Sequence, residues 1–441
     1  MDSRTSVVVD KRLWLALPAV AGLLLVLGAC GGKSSEGKAA DVTGTPAVIT
    51  FFTANDTFTE EQFMNDQGGA MIRKKFPNFT IKNITRNTKG GLVQDLVASG
   101  TTFDILRTTV GSTPGHLMDL NLQNDISDLV KKYNYDLNRL EPTTVEAQRT
   151  LSGGGIYGLP FKTDVASIMY NKDLFDKFGV SYPKDGMTWD EMYSLAQRMT
   201  RTEGGQQYRG LSGSFQHLMM LNPLSVPFAD PKTHKSLLTS DAFTHVFSTI
   251  ARFFKIPGND LFNNYDAFFK DRNMAMIVIL TNDVVNKLRA TPDAGASLNW
   301  DFVQLPHYPE KPQLTQQSYP YYYYLTSTSK SRDAAFQVLA YLTSDEFQEW
   351  GAELGNVPIL KDNSKVTKKF AVNVPEFKGK NIKALLLDKY APMVVDPLAY
   401  NFYTDATNAL SEYVKGNADL NTALRQAAEV QDKNIANLLH K

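Results

Sequence analysis

Val48-Ile49-Thr50-Phe51-Phe52, Phe79-Thr80-Ile81-Lys82-Asn83-Ile84 and Phe103-Asp104-Ile105-Leu106 are three β-rich runs with two helical stretches between them. The first run ends in polar Thr53-Ala54-Asn55-Asp56. A helix is expected from about Glu60 to Lys75, stopped at Phe76-Pro77, because the residue before a proline is pushed out of the helical region. The second run alternates with period two and reads as a strand. Gly91 to Ser99 is expected to be helical, with Leu92, Leu96 and Val97 on one face, and the third run reads as a buried strand. Strand, helix, strand, helix, strand within about 60 residues indicates α/β units around a mostly parallel sheet.

Outward from there, Thr188 and Glu191 form a capping box that opens a helix ending near Thr200, which makes Trp189 a packing residue. Leu420, Leu424, Ala427, Ile435 and Leu438 predict an amphipathic helix over 420–439. No fixed-period repeat is present. The 441 residues suggest two or three lobes. With 46 basic and 46 acidic residues the chain is formally neutral, which argues against a nucleic-acid partner. Its one cysteine rules out an intramolecular disulfide and a cysteine-based zinc site.

That cysteine is Cys30. Arg4, Lys11 and Arg12 precede an apolar run from Leu13 to Ala29, a charged start and apolar middle that read as a secretory signal peptide over residues 1–29. Leu27-Gly28-Ala29-Cys30 resembles a bacterial lipobox, which implies cleavage before Cys30 and a diacylglycerol on its sulfur. Residues 30–46 carry no hydrophobic period and read as a flexible tether. The expected anchor is acyl chains in the lipid bilayer, not a spanning helix.

Catalytic patterns are missing from the sequence. None of the six histidines begins an H-E-x-x-H pattern, and no two are three or four residues apart. Gly210-Leu211-Ser212-Gly213-Ser214 falls one glycine short of a nucleophile elbow. No catalytic residue, metal or cofactor is expected.

Ile156-Tyr157-Gly158-Leu159-Pro160-Phe161-Lys162-Thr163-Asp164, then Ile168-Met169-Tyr170-Asn171-Lys172-Asp173-Leu174-Phe175 and Trp189-Asp190-Glu191, resemble the extracellular solute-binding proteins of carbohydrate ABC importers, the maltose-binding-protein-like group. Leu96 to Ile105 upstream, and Asp333-Ala334-Ala335-Phe336, Leu342-Thr343-Ser344, Gly355 and Pro358 downstream, extend the resemblance over nearly the whole chain after residue 46. It implies an α/β, two-lobed periplasmic-binding-protein-like (type II) fold with hinge-connected, discontinuous lobes. The expected N-terminal lobe is 47–167 with 304–345, and the C-terminal lobe 168–303 with 346–441. A cleft between lobes suits a binder, because closure buries a polar ligand on both sides.

Carried over residue by residue, the resemblance implies ligand contacts from Asn55 and Asp56 after the first strand, and from Arg107 and Thr108 at the cleft rim. Thr108 stands where maltose-binding protein has a stacking tryptophan. Asp164, six residues before Tyr170, matches an acidic cleft residue, and Tyr403 in Pro397-Leu398-Ala399-Tyr400-Asn401-Phe402-Tyr403 matches a stacking aromatic. Asn282 takes the approximate place of another stacking tryptophan. In Tyr319-Pro320-Tyr321-Tyr322-Tyr323-Tyr324, Tyr321 and Tyr323 share one strand face and Tyr322 and Tyr324 the other, so at least half are expected in the core. Tyr321 falls nearest the family aromatic. Arg86, Lys89, Arg107 and Lys162 around the first-lobe rim admit an acidic sugar; a solvated basic rim is the simpler reading. The expected function is that of a monomeric, lipid-anchored binder of a carbohydrate ligand, serving ABC permease subunits. The alternatives are a ligand-presenting sensor lipoprotein and a secreted glycoside hydrolase.

Overall fold

The computed structural model describes residues 44–86, 92–259, 264–291, 297–395 and 403–439. Cys30, the expected signal peptide and most of the expected tether lie outside the described residues, as do Lys89 and Pro397 to Phe402. Among the described residues no helix is long and apolar enough to cross a membrane.

Among the described residues ten strands build two five-stranded sheets. They are β1 (Ala47–Thr53), β2 (Phe79–Ile84), β3 (Ile105–Thr109), β4 (Gly158–Asp164), β5 (Ala166–Asn171), β6 (Arg201–Glu203), β7 (Gln206–Ser212), β8 (Met274–Leu280), β9 (Trp300–Gln304) and β10 (Tyr319–Leu325). The first sheet runs β2-β1-β3-β10-β4 and the second β6-β7-β8-β5-β9. Parallel pairing joins β1 to β2 and β3, and β7 to β8. β10 lies antiparallel to β3 and β4, and β5 antiparallel to β8 and β9. The sheets are therefore mixed, where a mostly parallel sheet was expected: β10 and β5 enter from the opposite lobe and run against their neighbours.

Local chemistry explains most elements. The expected helix over 60–75 is two helices, Glu60–Asp66 and Gly69–Lys75. They break at Gly68, whose φ of +83° is a left-handed conformation that glycine adopts without penalty. A Cβ there would also stand 2.5 Å from the Phe347 ring. The third strand begins at Ile105, two residues later than expected, and continues through Arg107 and Thr108. The Thr188–Glu191 capping box is present, and Trp189 packs edge-on to Phe253 with ring centroids 5.8 Å apart. Residues 420–439 form one helix.

All four consecutive tyrosines of β10 are buried. Tyr322 and Tyr324 pack with Phe52 and Leu106 on one face of the sheet, and Tyr321 and Tyr323 with Phe51 and Phe161 on the other. The buried hydroxyls are bonded. Tyr322 donates to the Thr144 carbonyl at 2.7 Å, and Gln148 Nε2 donates to the Tyr324 hydroxyl at 2.9 Å. The helix Pro142–Ser152 is thereby pinned against the sheet.

The chain passes between sheets at Val165 and again between Gln304 and Tyr319. The side-chain amide of Gln316 clamps the first crossing, accepting from Ala166 N at 2.8 Å and donating to Ala166 O at 2.7 Å. A third strand of chain lies alongside, where Ala391 N donates to Gln316 O at 3.0 Å. The helix Asp345–Glu353, expected in the second lobe, packs on the first. Phe347 meets Tyr341, which meets Phe76, and Gln348 Nε2 donates to Phe161 O at 2.7 Å. The side chains that helix buries match first-sheet neighbours, so an expected boundary at 345/346 falls inside a packed unit.

Candidate functional site in the cleft between the sheets

The C-terminal ends of β1, β3 and β4 and the N-terminal end of β10 reach the same edge of the first sheet, because Tyr319 pairs with Asp164 and Tyr321 with Thr109. Two residues past Asp164 the second sheet begins. Ala166 pairs there with Leu280, so the helix Thr281–Ala290 starts opposite Asp164. Sequence-distant polar residues meet at this edge as a direct result of register.

Two first-lobe charges bridge to the second lobe. Asn282 N donates to Asp164 Oδ1 at 3.2 Å, while Lys162 Nζ donates to Asn282 Oδ1 at 2.9 Å and Asn356 Oδ1 at 3.3 Å. Both charged side chains are deeply buried. Burial pushes the Asp164 carboxyl up to about 6, with Lys162 pulling the other way, and pushes the Lys162 ammonium down to about 8 against the pull of Asp164. Asp283, beside the Tyr265 hydroxyl at 3.3 Å, is also raised by burial.

Arg107 lies under this cluster. Its guanidinium carbon sits 5.1 Å from the ring centroids of Phe58 and Phe161 and 5.2 Å from that of Tyr321, and its Nη1 is 3.3 Å from Asp56 Oδ2. Three aromatic faces and one carboxylate hold a desolvated cation. Lys162 Nζ approaches the same Tyr321 ring at 4.7 Å.

The structure therefore divides the expected site. Asp164, Asn282 and Tyr321 come together with Arg107 and Asp56. Arg107 and Thr108 are not at the rim, because β3 runs through them and both are buried. Thr108 is fully enclosed and donates to Asn55 Oδ1 at 2.8 Å, with His116 Nδ1 at 2.9 Å. Its hydroxyl is bonded within the first lobe. His116 is pushed down to about 4 by burial and by Arg86, so it is neutral. Asn55 is half-buried and already ties the loop together, accepting from Thr109 N at 3.0 Å and donating to Ser112 Oγ at 3.0 Å. Tyr403 opens the helix Tyr403–Lys415 and lies at a different part of the cleft.

Cavities lined by described residues of both lobes include two beside the expected site residues. One, about 340 Å³, is lined by Lys162, Phe58 and the amides Gln62, Asn282, Asn286 and Asn356. The other, about 60 Å³, is lined by Tyr319, Tyr403 and aliphatic side chains from both lobes. Residues that sequence reasoning missed are Asn356, Asp283 and Tyr319. Gly355 and Pro358 carry part of the family resemblance, but nothing in the sequence points the Asn356 amide at Lys162. Among the described residues no group of acidic or histidine side chains could hold a metal ion.

A family model described as bacterial extracellular solute-binding protein matches residues 58–349, about two thirds of the chain. The chain belongs to that family. It is accordingly a binding protein rather than an enzyme. The mannitol-binding protein of Pseudomonas aeruginosa is 28% identical over 141 residues, which is 31% of this chain and 31% of that relative. The chain thus matches about a third of the length of this curated relative. A sugar transporter structure from Rhizobium etli in an open conformation superposes with a TM-score of 0.70 at 21% identity, covering 88% of this chain and 99% of that one. An ABC substrate-binding protein of Listeria monocytogenes in complex with cycloalternan gives a TM-score of 0.68 at 15% identity, covering 89% and 99%. The fold of this solute-binding protein is the two-lobed fold of those structures.

Proposed function

We propose that this solute-binding protein holds a sugar or oligosaccharide between its lobes and delivers it, unaltered, to the membrane permease of an ABC importer, while acyl chains on Cys30 tether it as a monomer to the outer face of the cell membrane. The observation that carries the reading is the amide-lined cavity beside the buried Lys162–Asn282–Asp164 bridge. Amides and a carboxylate each bond two neighbouring hydroxyls, and a bond to a charged group contributes about 1.5–3 kcal/mol. The sugar-binding relatives of this fold support the choice of ligand.

On this reading Asp164, Asn282 and Lys162 contact the guest directly, with Asp56, Asn55 and Tyr321 shaping the first-lobe wall and Tyr403 covering the far end. The two sheets, each with its packed helices, move as bodies about Val165 and the segment between β9 and β10. Binding energy that exists only when both walls touch the ligand drives closure.

A thermal-shift screen of the chain after residue 29 against neutral and acidic mono- and oligosaccharides tests the reading. Ligand at a hundred times its Kd adds about 2.7 kcal/mol of apparent stability. A specific rise in melting temperature with one sugar class is expected. No rise with any of them would overturn it. Loss of membrane association in Cys30→Ala, followed by cell fractionation, tests the tether.

A further inference from the structure

The smaller interlobe cavity differs in kind from the amide-lined one. Val110 and Pro114 line it from the first lobe, and Met220, Val226, Phe228 and Val394 complete it. The polar side chains around it are already committed. Gln317 donates through Nε2 to Asn222 O at 2.7 Å and accepts through Oε1 from Val394 N at 2.7 Å. Ser318 Oγ donates to Met393 Sδ at 3.0 Å and meets Thr143 Oγ1 at 2.7 Å. The Tyr319 hydroxyl donates to Thr109 Oγ1 at 3.5 Å, and Tyr403 is also engaged within the protein. A hydroxyl-rich ring placed here would leave its hydroxyls without partners among the described side chains, and each would carry a desolvation cost.

The two cavities are close. Tyr319 lines the small one, its ring centroid 6.5 Å from that of Tyr321, and Lys162, which lies over the Tyr321 ring at 4.7 Å, lines the large one. We infer that the cavity between Val110 and Val394 is a subsite for a short apolar substituent on the sugar, such as an alkyl aglycone, while the hydroxylated ring occupies the amide-lined end. Its volume of about 60 Å³ admits roughly two or three carbon-sized groups. Met220 and Met393, with unbranched flexible thioethers, adapt to a small variable group better than flat rings would. The inference rests on the proposed sugar function and adds the ligand's second chemical character to it.

The test is titration calorimetry on the chain after residue 29 with glucose, mannose, maltose and mannobiose, each beside its methyl, propyl and octyl glycosides. Each buried methylene is worth about fourfold in affinity, so a propyl glycoside is expected to bind at least tenfold tighter than its parent, and the octyl glycoside to lose that gain by overfilling the cavity. In Val394→Thr, and separately in Val226→Thr, the ratio of propyl-glycoside to parent affinity should shrink several-fold; both swaps keep shape, and melting curves check the fold. A parent sugar that binds while its propyl glycoside binds no better overturns the subsite alone. If neither sugars nor glycosides bind, the sugar reading falls and takes the subsite with it.

Discussion

The cleft has two ends made from the same sheet edge. At the Asn282 end, buried charged side chains are bonded across the two lobes; at the Tyr403 end, Gln317, Ser318 and Tyr319 are bonded inside the protein and the lining is mostly apolar. β10 serves both, since Tyr321 lies under Lys162 while Tyr319, two residues earlier, lines the same cavity as Tyr403. The difference teaches that burial by itself does not mark a binding surface. Thr108 and Asp164 are both enclosed, yet Thr108 has its hydroxyl satisfied within its own lobe while Asp164 is held by the opposite one.

Asp164→Ala is the strongest attack on the polar end. It removes the acceptor for Asn282 N and the carboxylate nearest Lys162, and sugar affinity is expected to fall by about 1.5–3 kcal/mol with circular dichroism unchanged. Unchanged affinity by calorimetry would remove Asp164 from the site. The pH dependence sharpens the same point. A carboxyl raised to about 6 from an ordinary value of 3.8 contributes stability that is complete below 3.8 and lost as pH rises through 6. Denaturant melts of the parent and Asp164→Asn between pH 4 and 6.5 should therefore show the parent losing stability relative to the variant as pH rises, by up to about 3 kcal/mol. Lys162, lowered to about 8, acts in the opposite sense, its contribution falling as pH drops through that value. A parent and variant that run parallel across the range would contradict the buried carboxylate.

Smaller effects separate the ends. Asn282→Ala leaves Lys162 with one amide partner and should weaken sugar binding by about 1 kcal/mol. Tyr403→Ala should cost about 0.5–1.5 kcal/mol through lost ring contact, with Tyr403→Phe close to the parent. An equal loss in Tyr403→Phe would show that the hydroxyl, not the ring, faces the ligand.

Much of the fold was legible because its signals are local. A short β-rich run located β1, period-two alternation located β2, and the Thr188–Glu191 box opened its helix. The resemblance around Gly158 to Asp164 supplied the two-lobed form that period alone could not. Helix 60–75 was misread because Gly68 breaks it for a reason held 279 residues away, the Phe347 ring above it. The site was legible only in part. Asp164 and Asn282 are one hydrogen bond apart but 118 positions apart in sequence. Arg107 and Thr108 follow an apolar strand start and looked like its exit. The antiparallel partner β10 extends pairing over them, a tertiary fact with no local trace.

The account stands or falls on whether the cleft takes a hydroxyl-rich guest and returns it intact. Calorimetric titration of the chain after residue 29 with whichever sugar raises its melting temperature, followed by chromatographic recovery of that sugar, measures both at once. One-to-one saturable binding with the sugar recovered unchanged is predicted, and the binding should weaken in Asp164→Ala. A cleaved or modified sugar, or binding indifferent to Asp164, would contradict it.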